Sequence, residues 1–416
     1  MGRVMFREEA GGVAVAPLGD ASDVAGERNV PMGYLRTFVT VLVVAHHALI
    51  AYHPDAPALA ATNWSSPMML WSAFPVVDPQ RVPGFGLLIG INDIFFMSLM
   101  FFISGLFVWS SLERKGAFGF LRDRIVRLGL PFAVAASLLA PLAYYPSYLQ
   151  NGGTPDLAAY MSAWLALGAW PAGPAWFMWV LLAFGTLAAF VYLIAPRFGD
   201  ALGRLSSNAD QRPAAYIRGL IIVSALGYLA MNVYLGYDAW VHWGPFFVQA
   251  GRILHYGIYF FAGIGVGAFG IERGLLDAGG KLARRWWLWL PAGLIAFVAL
   301  TAAFLTALSM KFQPPMAWTP LLCTLFAIAC ATLSFGLVSF FVRFFKRPGP
   351  VFDSLSRNAY GIYIVHYVYA IWLQYALLNA PLSGLEKGGI VFAGTLILSW
   401  ATTALLRSFP SIARVI

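Results

Sequence analysis

Charge is what this 416-residue sequence has least of. Asp, Glu, Lys and Arg make up 11% of it, against about 25% in soluble globular chains. With 60% hydrophobic residues, that scarcity excludes a string of soluble domains and predicts an all-α polytopic membrane protein. Cysteine is nearly absent. Cys323 and Cys330 lie seven residues apart in one apolar run, roughly 10 Å along a helix axis and too far to bridge, so no disulfide is expected. No apolar segment precedes the first long run, which excludes a cleaved signal peptide. Residues 1–33, with Arg3, Arg7, Glu8, Glu9 and Arg28 among Gly and Ala, read as a cytoplasmic tail. Also missing are a Walker phosphate loop, HExxH, paired-cysteine metal spacing and a GxSxG elbow. His46, His47 and His53 lack the one-face spacing of a metal pair, so no metal is expected.

What is present is a series of apolar runs of about 20 residues, the length that crosses a bilayer. About ten transmembrane helices are predicted: Tyr34 to Tyr52, Asn92 to Leu112, Val126 to Tyr145, Ala175 to Ala195, Ala215 to Leu235, Ile253 to Ile271, Trp286 to Leu308, Trp318 to Phe344, Asn358 to Asn379 and Gly388 to Leu406. The shorter run Leu157 to Trp170 predicts a re-entrant or interfacial segment. Of the 27 Lys and Arg, only Arg81, Arg252, Lys311 and Lys387 fall on the side opposite the N-terminal tail. The positive-inside rule therefore puts both termini in the cytoplasm. One transmembrane domain, residues 34–407, lies between the tail and a short cytoplasmic end, residues 408–416.

Ionisable groups inside apolar runs are costly and mark function by default. His47 sits deep in the first run. Arg36, eleven residues earlier, lies three turns and about 20° away on a helix, so the two share one face. A neutral imidazole suits general-base work. Arg36 has two readings: snorkelling to lipid phosphate, or clamping the phosphates of an anionic ligand. Between spans two and three, Glu113 to Pro131 carries Arg114, Lys115, Arg122, Arg124 and Arg127. These are either topology signals or, with Arg36, a site for a phosphorylated cytoplasmic ligand. On the other side Asp93, Asp238, His242, Arg252 and His255 could bind a polyhydroxylated acceptor, with Trp64, Trp71 or Trp240 as stacking faces. His366, nine residues past Arg357, is either pore-facing or hydrogen-bonded to a neighbouring helix. A transporter or flippase of a glycan or lipid, its polar groups lining a pathway, is the alternative to an enzyme.

Five segments also match a known pattern: Arg36 and His47 with ten residues between, FFISG at Phe101–Gly105, RIVRLGLP at Arg124–Pro131, AWF at Ala175–Phe177 and YGIYIVH at Tyr360–His366. In this order the chain resembles the acyltransferase-3 family of integral membrane O-acyltransferases, which includes glucan succinyltransferases and O-antigen acetyltransferases. The resemblance implies a bacterial inner-membrane enzyme moving an acyl group from cytoplasmic acyl-CoA, acetyl-CoA or succinyl-CoA, to a hydroxyl of a carbohydrate or other envelope acceptor. It implies His47 and Arg36 as catalytic residues and Arg124 and Arg127 as donor-binding, with Arg122 and Lys115 beside them. Asp93, Arg252, His255 and His366 are the candidates for substrate binding. The lipid bilayer, the donor and the acceptor are the expected partners, and nucleic acid is not. The chain departs from the pattern where an acidic residue usually precedes the first-helix arginine; Gly33 and Tyr34 stand there. With no appended SGNH hydrolase-like domain, it is expected to complete transfer alone or pass its product to a separate partner.

Overall fold

The computed structural model describes residues 29–65, 69–236, 239–310 and 316–416. Most of the proposed tail, Asp238 and Lys311 therefore lie outside the described residues. The principal helices are α1 (Val30–Leu49), α2 (Pro83–Gly105), α3 (Val108–Gln150), α4 (Leu157–Ala166), α5 (Trp176–Ile194), α6 (Phe198–Ser206), α7 (Pro213–Leu235), α8 (Ile253–Phe269), α9 (Trp286–Met310), α10 (Thr319–Phe344), α11 (Pro350–Ala376) and α12 (Gly384–Leu406). Among the described residues nine helices are long and apolar enough to cross a membrane. The chain is an all-α, multi-pass membrane protein. The expected ninth of ten spans, within α11, is missing from that set although α11 runs for 27 residues. Asp353, Arg357, His366 and Gln374 dilute its apolar character.

Local chemistry sets the helix ends. The Asn29 side chain caps α1 by accepting from the Met32 amide at 3.1 Å, satisfying an otherwise orphaned donor. Proline at the first or second position opens α1, α2, α7, α10 and α11, where its missing N–H costs nothing. Ser383 and Glu386 form a capping box on α12. The α4 segment is capped by Asp156 and, at ten residues, is too short to span.

The basic stretch Glu113 to Pro131, which joins the expected second and third spans, is helical from end to end. It belongs to α3, which kinks at Gly116 (φ 69°) and passes through two π-helical turns, Ile125–Gly129 and Ala135–Leu139. A second departure is an antiparallel hairpin, β1 (Trp240–Trp243) with β2 (Phe246–Gln249), turning at Gly244.

α1 sits inside the bundle, packed against α11, α2, α12 and α10. Helices α1, α2 and α10 are mostly buried, whereas only 17% of the apolar window of α9 is. The bare flank of α9 suits lipid. α2 and α8 cross with backbones in contact: a methyl on Gly267 would lie 1.9 Å from the Leu106 carbonyl oxygen. Small residues permit this approach, the usual means by which membrane helices gain packing energy without a hydrophobic drive.

Candidate active site

α1 and α11 are parallel neighbours fastened at three levels. Near their starts the Tyr34 hydroxyl donates to Asp353 and accepts from the Gly349 amide at 2.8 Å. An acid from α11 thus stands beside the stretch of α1 that lacks one of its own. Midway, His47 Nδ1 lies 3.2 Å from His366 Nε2. Further along, the Gln374 amide donates to the carbonyls of His47 (2.7 Å) and Ala48 (3.0 Å). The α11 side of this seam is a stripe at helical spacing, Asn358, Ile362, His366, Ala370 and Gln374, all buried.

His47 is half-buried. Its Nδ1 also faces the Val43 carbonyl one turn back, at 2.9 Å. Its Nε2 has no hydrogen-bond partner among the described residues and is not one of the occluded, unpaired polar atoms. That nitrogen opens on accessible space. Aromatic rings frame it: Tyr367 edge-on at 5.2 Å, and His46, itself stacked on Phe96 at 5.4 Å. Tyr367 continues into a column of rings, its hydroxyl 3.2 Å from that of Tyr144, with Trp71 against Tyr144 and Trp64 stacked on Trp71 at 4.2 Å. Trp64 borders a cavity of about 450 Å³ that also touches Met69, Leu167 and His242. Trp71 is sealed within the column and offers no face to a ligand, while Trp240 remains exposed.

Arg36 lies on the same face of α1, roughly 16 Å nearer the basic end. Its side chain is exposed. Arg124 is half-buried and packs over the Phe120 ring at 5.0 Å. Arg127 lies within the first π-helical turn, and its carbonyl accepts from the Tyr360 hydroxyl. Tyr360 thereby joins the basic stretch of α3 to the helix that carries His366. Arg122 is exposed, and Lys115 pairs with Asp123 at the surface.

The remaining candidates are engaged internally. Arg252 is buried, pairs with Asp93 at 2.7 Å, donates to the Asp93 carbonyl at 3.1 Å and lies over Phe326. The Asp93 side chain stays 46% accessible, so it keeps one side open. His255 is fully buried, its nitrogens facing the Ser224 carbonyl and Cys330. His366 is fully buried as well, with both nitrogens occupied. Neither histidine presents a free nitrogen to a substrate. Just past α1, burial holds the His53 imidazole below its ordinary range, with Asp55 opposing the shift and Arg81 adding to it.

With this geometry in place, the comparison with protein families is decisive. A family model described as an acyltransferase domain, acyltransferase-3, matches residues 32–404. The chain belongs to the acyltransferase-3 family. It is accordingly an acyltransferase of membrane type, and the match takes in every candidate residue from Arg36 to His366. No curated protein and no solved structure matches this acyltransferase-3 chain. Tyr144, Tyr367 and Gln374 escaped the sequence reading. The signal that could have found Gln374 is the polar recurrence every eighth residue along one face of α11, Asn358, His366 and Gln374.

Proposed function

We propose that the protein moves an acyl group, acetyl or succinyl, from acyl-CoA to a hydroxyl of a carbohydrate or other envelope acceptor in the bacterial inner membrane. Arg36, Arg124 and Arg127 hold the donor's phosphates from the cytoplasmic side. The distance along α1 from Arg36 to His47 is one that a flexible pantetheine arm can bridge, which brings the thioester to the imidazole. His47 Nε2 takes the proton of the acceptor hydroxyl as its oxygen attacks the thioester carbonyl. The carbon–sulfur bond then breaks and the imidazolium returns the proton to the departing thiolate, leaving an ester and free CoA. The observation that carries this reading is the accessible Nε2 of His47, unpartnered among the described residues, on the face of α1 that also bears Arg36.

The test joins binding to chemistry. CoA should raise the melting temperature of purified protein, because a ligand of the folded state stabilises by mass action. Arg36→Ala and Arg124→Ala should weaken that shift, and His47→Ala should keep it. Mass spectrometry of envelope glycans and lipids should show a loss of one acyl unit in cells carrying His47→Ala. Undiminished acylation in that variant, or no CoA-dependent stabilisation of the wild type, overturns the proposal.

A further inference from the structure

His366 makes two contacts whose chemistry fixes where its hydrogen sits. Nδ1 lies 2.7 Å from the Tyr363 carbonyl oxygen, which can only accept. Nδ1 therefore carries the hydrogen, and in a neutral imidazole Nε2 is left with a lone pair. That lone pair faces His47 Nδ1 at 3.2 Å. From the other side, His47 Nδ1 lies 2.9 Å from the Val43 carbonyl, another pure acceptor, so it too must carry a hydrogen. The two deductions start from different carbonyls on different helices and agree. The His47 Nδ1–H is shared between Val43 O and His366 Nε2, and the His47 lone pair sits on Nε2, the atom that opens on accessible space.

Resting on the reading of His47 as the base, we propose that His366 is a positioning residue that holds His47 in its Nδ1–H form and supports the imidazolium produced in the reaction. The Val43 contact favours the same hydrogen but lies on the same helix one turn back, so without a second partner the ring is free to turn and the hydrogen to shift to Nε2. His366 supplies that second partner from α11. It is itself held by its turn, since the Tyr363 hydroxyl donates to the Pro174 carbonyl and Tyr367 meets Tyr144. When His47 gains a proton at Nε2, its Nδ1–H becomes a stronger donor, and the facing lone pair strengthens its bond. His366 does not pass a proton onward, because its own hydrogen rests on a carbonyl that cannot accept one. Its work is orientation and charge support, the part played by the buried partner of a general-base histidine.

The experiment is ¹⁵N nuclear magnetic resonance of histidine-labelled full-length protein in detergent micelles, with the His47 signals assigned by their loss in His47→Ala. The expected wild-type spectrum has His47 Nδ1 protonated and Nε2 unprotonated. In His366→Leu, His47 should become a mixture of tautomers. Thiol release from acetyl-CoA by membranes containing that variant should fall roughly 10–100-fold in kcat, part of the 10²–10⁴ a general base supplies, with KM little changed. His366→Gln, whose amide oxygen can accept in place of Nε2, should restore both readouts. A wild-type spectrum with His47 protonated on Nε2 overturns the proposal, as does a His366→Leu variant with unchanged tautomer and turnover. If His47→Ala keeps full turnover while the spectra behave as expected, the base assignment falls and the positioning contact stands.

Discussion

Substituting Gly267 by alanine tests the closest approach at any described glycine. Gly105 and Gly263 share the α2–α8 crossing, where added methyls would lie 2.1 Å from the carbonyl oxygens of Phe260 and Phe102; the 1.9 Å separation at Gly267 is tighter still. Real contacts of this kind essentially never fall below 3.0 Å, so the helices must part by about 1 Å, a gap that forfeits a quarter to a half of each affected dispersion contact. Forcing such a shift costs about 1–3 kcal/mol. Alanine returns about 0.5–1 kcal/mol through its better helix propensity, so the net loss lies within about 0–2.5 kcal/mol, and a clash with backbone, which cannot yield as a side chain can, puts it at about 1–2 kcal/mol. At about 2 °C per kcal/mol for a large chain, the melting temperature in detergent should drop by roughly 2–4 °C. Gly219 on α7 is the control, since nothing lies within 4 Å of its added methyl. Gly219→Ala should melt at or above the wild-type temperature. If the two variants melt together, the backbone contact is not what holds α2 to α8 and the reasoning fails.

Two further outcomes follow from groups outside that crossing. Lys387 and Asp78 form a 2.8 Å ion pair with both side chains almost wholly buried; Lys387→Met should cost about 3–5 kcal/mol by stranding the carboxylate, and adding Asp78→Leu should recover most of that loss in a thermal melt. His53 Nδ1 accepts from the Asp55 amide at 3.0 Å, which requires the unprotonated ring. Because burial lowers its folded-state value, the unfolded segment binds the proton first, and protection of residues 53–58 should be full above about pH 6.5 and fall as the pH drops below it. Hydrogen exchange corrected for intrinsic rates would show this, and His53→Asn, which keeps an acceptor, should abolish the dependence.

The spans and the Arg36–His47 face were legible because apolar length and helical period are strong, local signals. What stayed hidden depended on partners distant in sequence. The contact between His47 and His366 joins residues 319 apart, and nothing near either one names the other. Charge broke the apolar signal at Glu113 to Pro131: the dense run of Lys and Arg separates two expected spans, yet the helix continues through it and buries Phe120 and Leu128. Aromatic content misled in the opposite sense. Trp71 looked like a ligand platform and is core, while Trp240, another candidate face, stands exposed on a hairpin that the sequence did not announce. In both cases the residue types were read correctly for polarity, and tertiary packing decided their place.

The seam between α1 and α11 also dates the assembly of the protein. At roughly 5–20 residues per second of synthesis, the 319 residues that separate the two histidines take on the order of 15–60 s to make. For that interval His47 sits in the nascent bundle without its partner, and so do the carbonyls that Gln374 will later meet. The first helix must therefore be inserted, and spared by membrane proteases, long before the helix that completes it emerges from the ribosome.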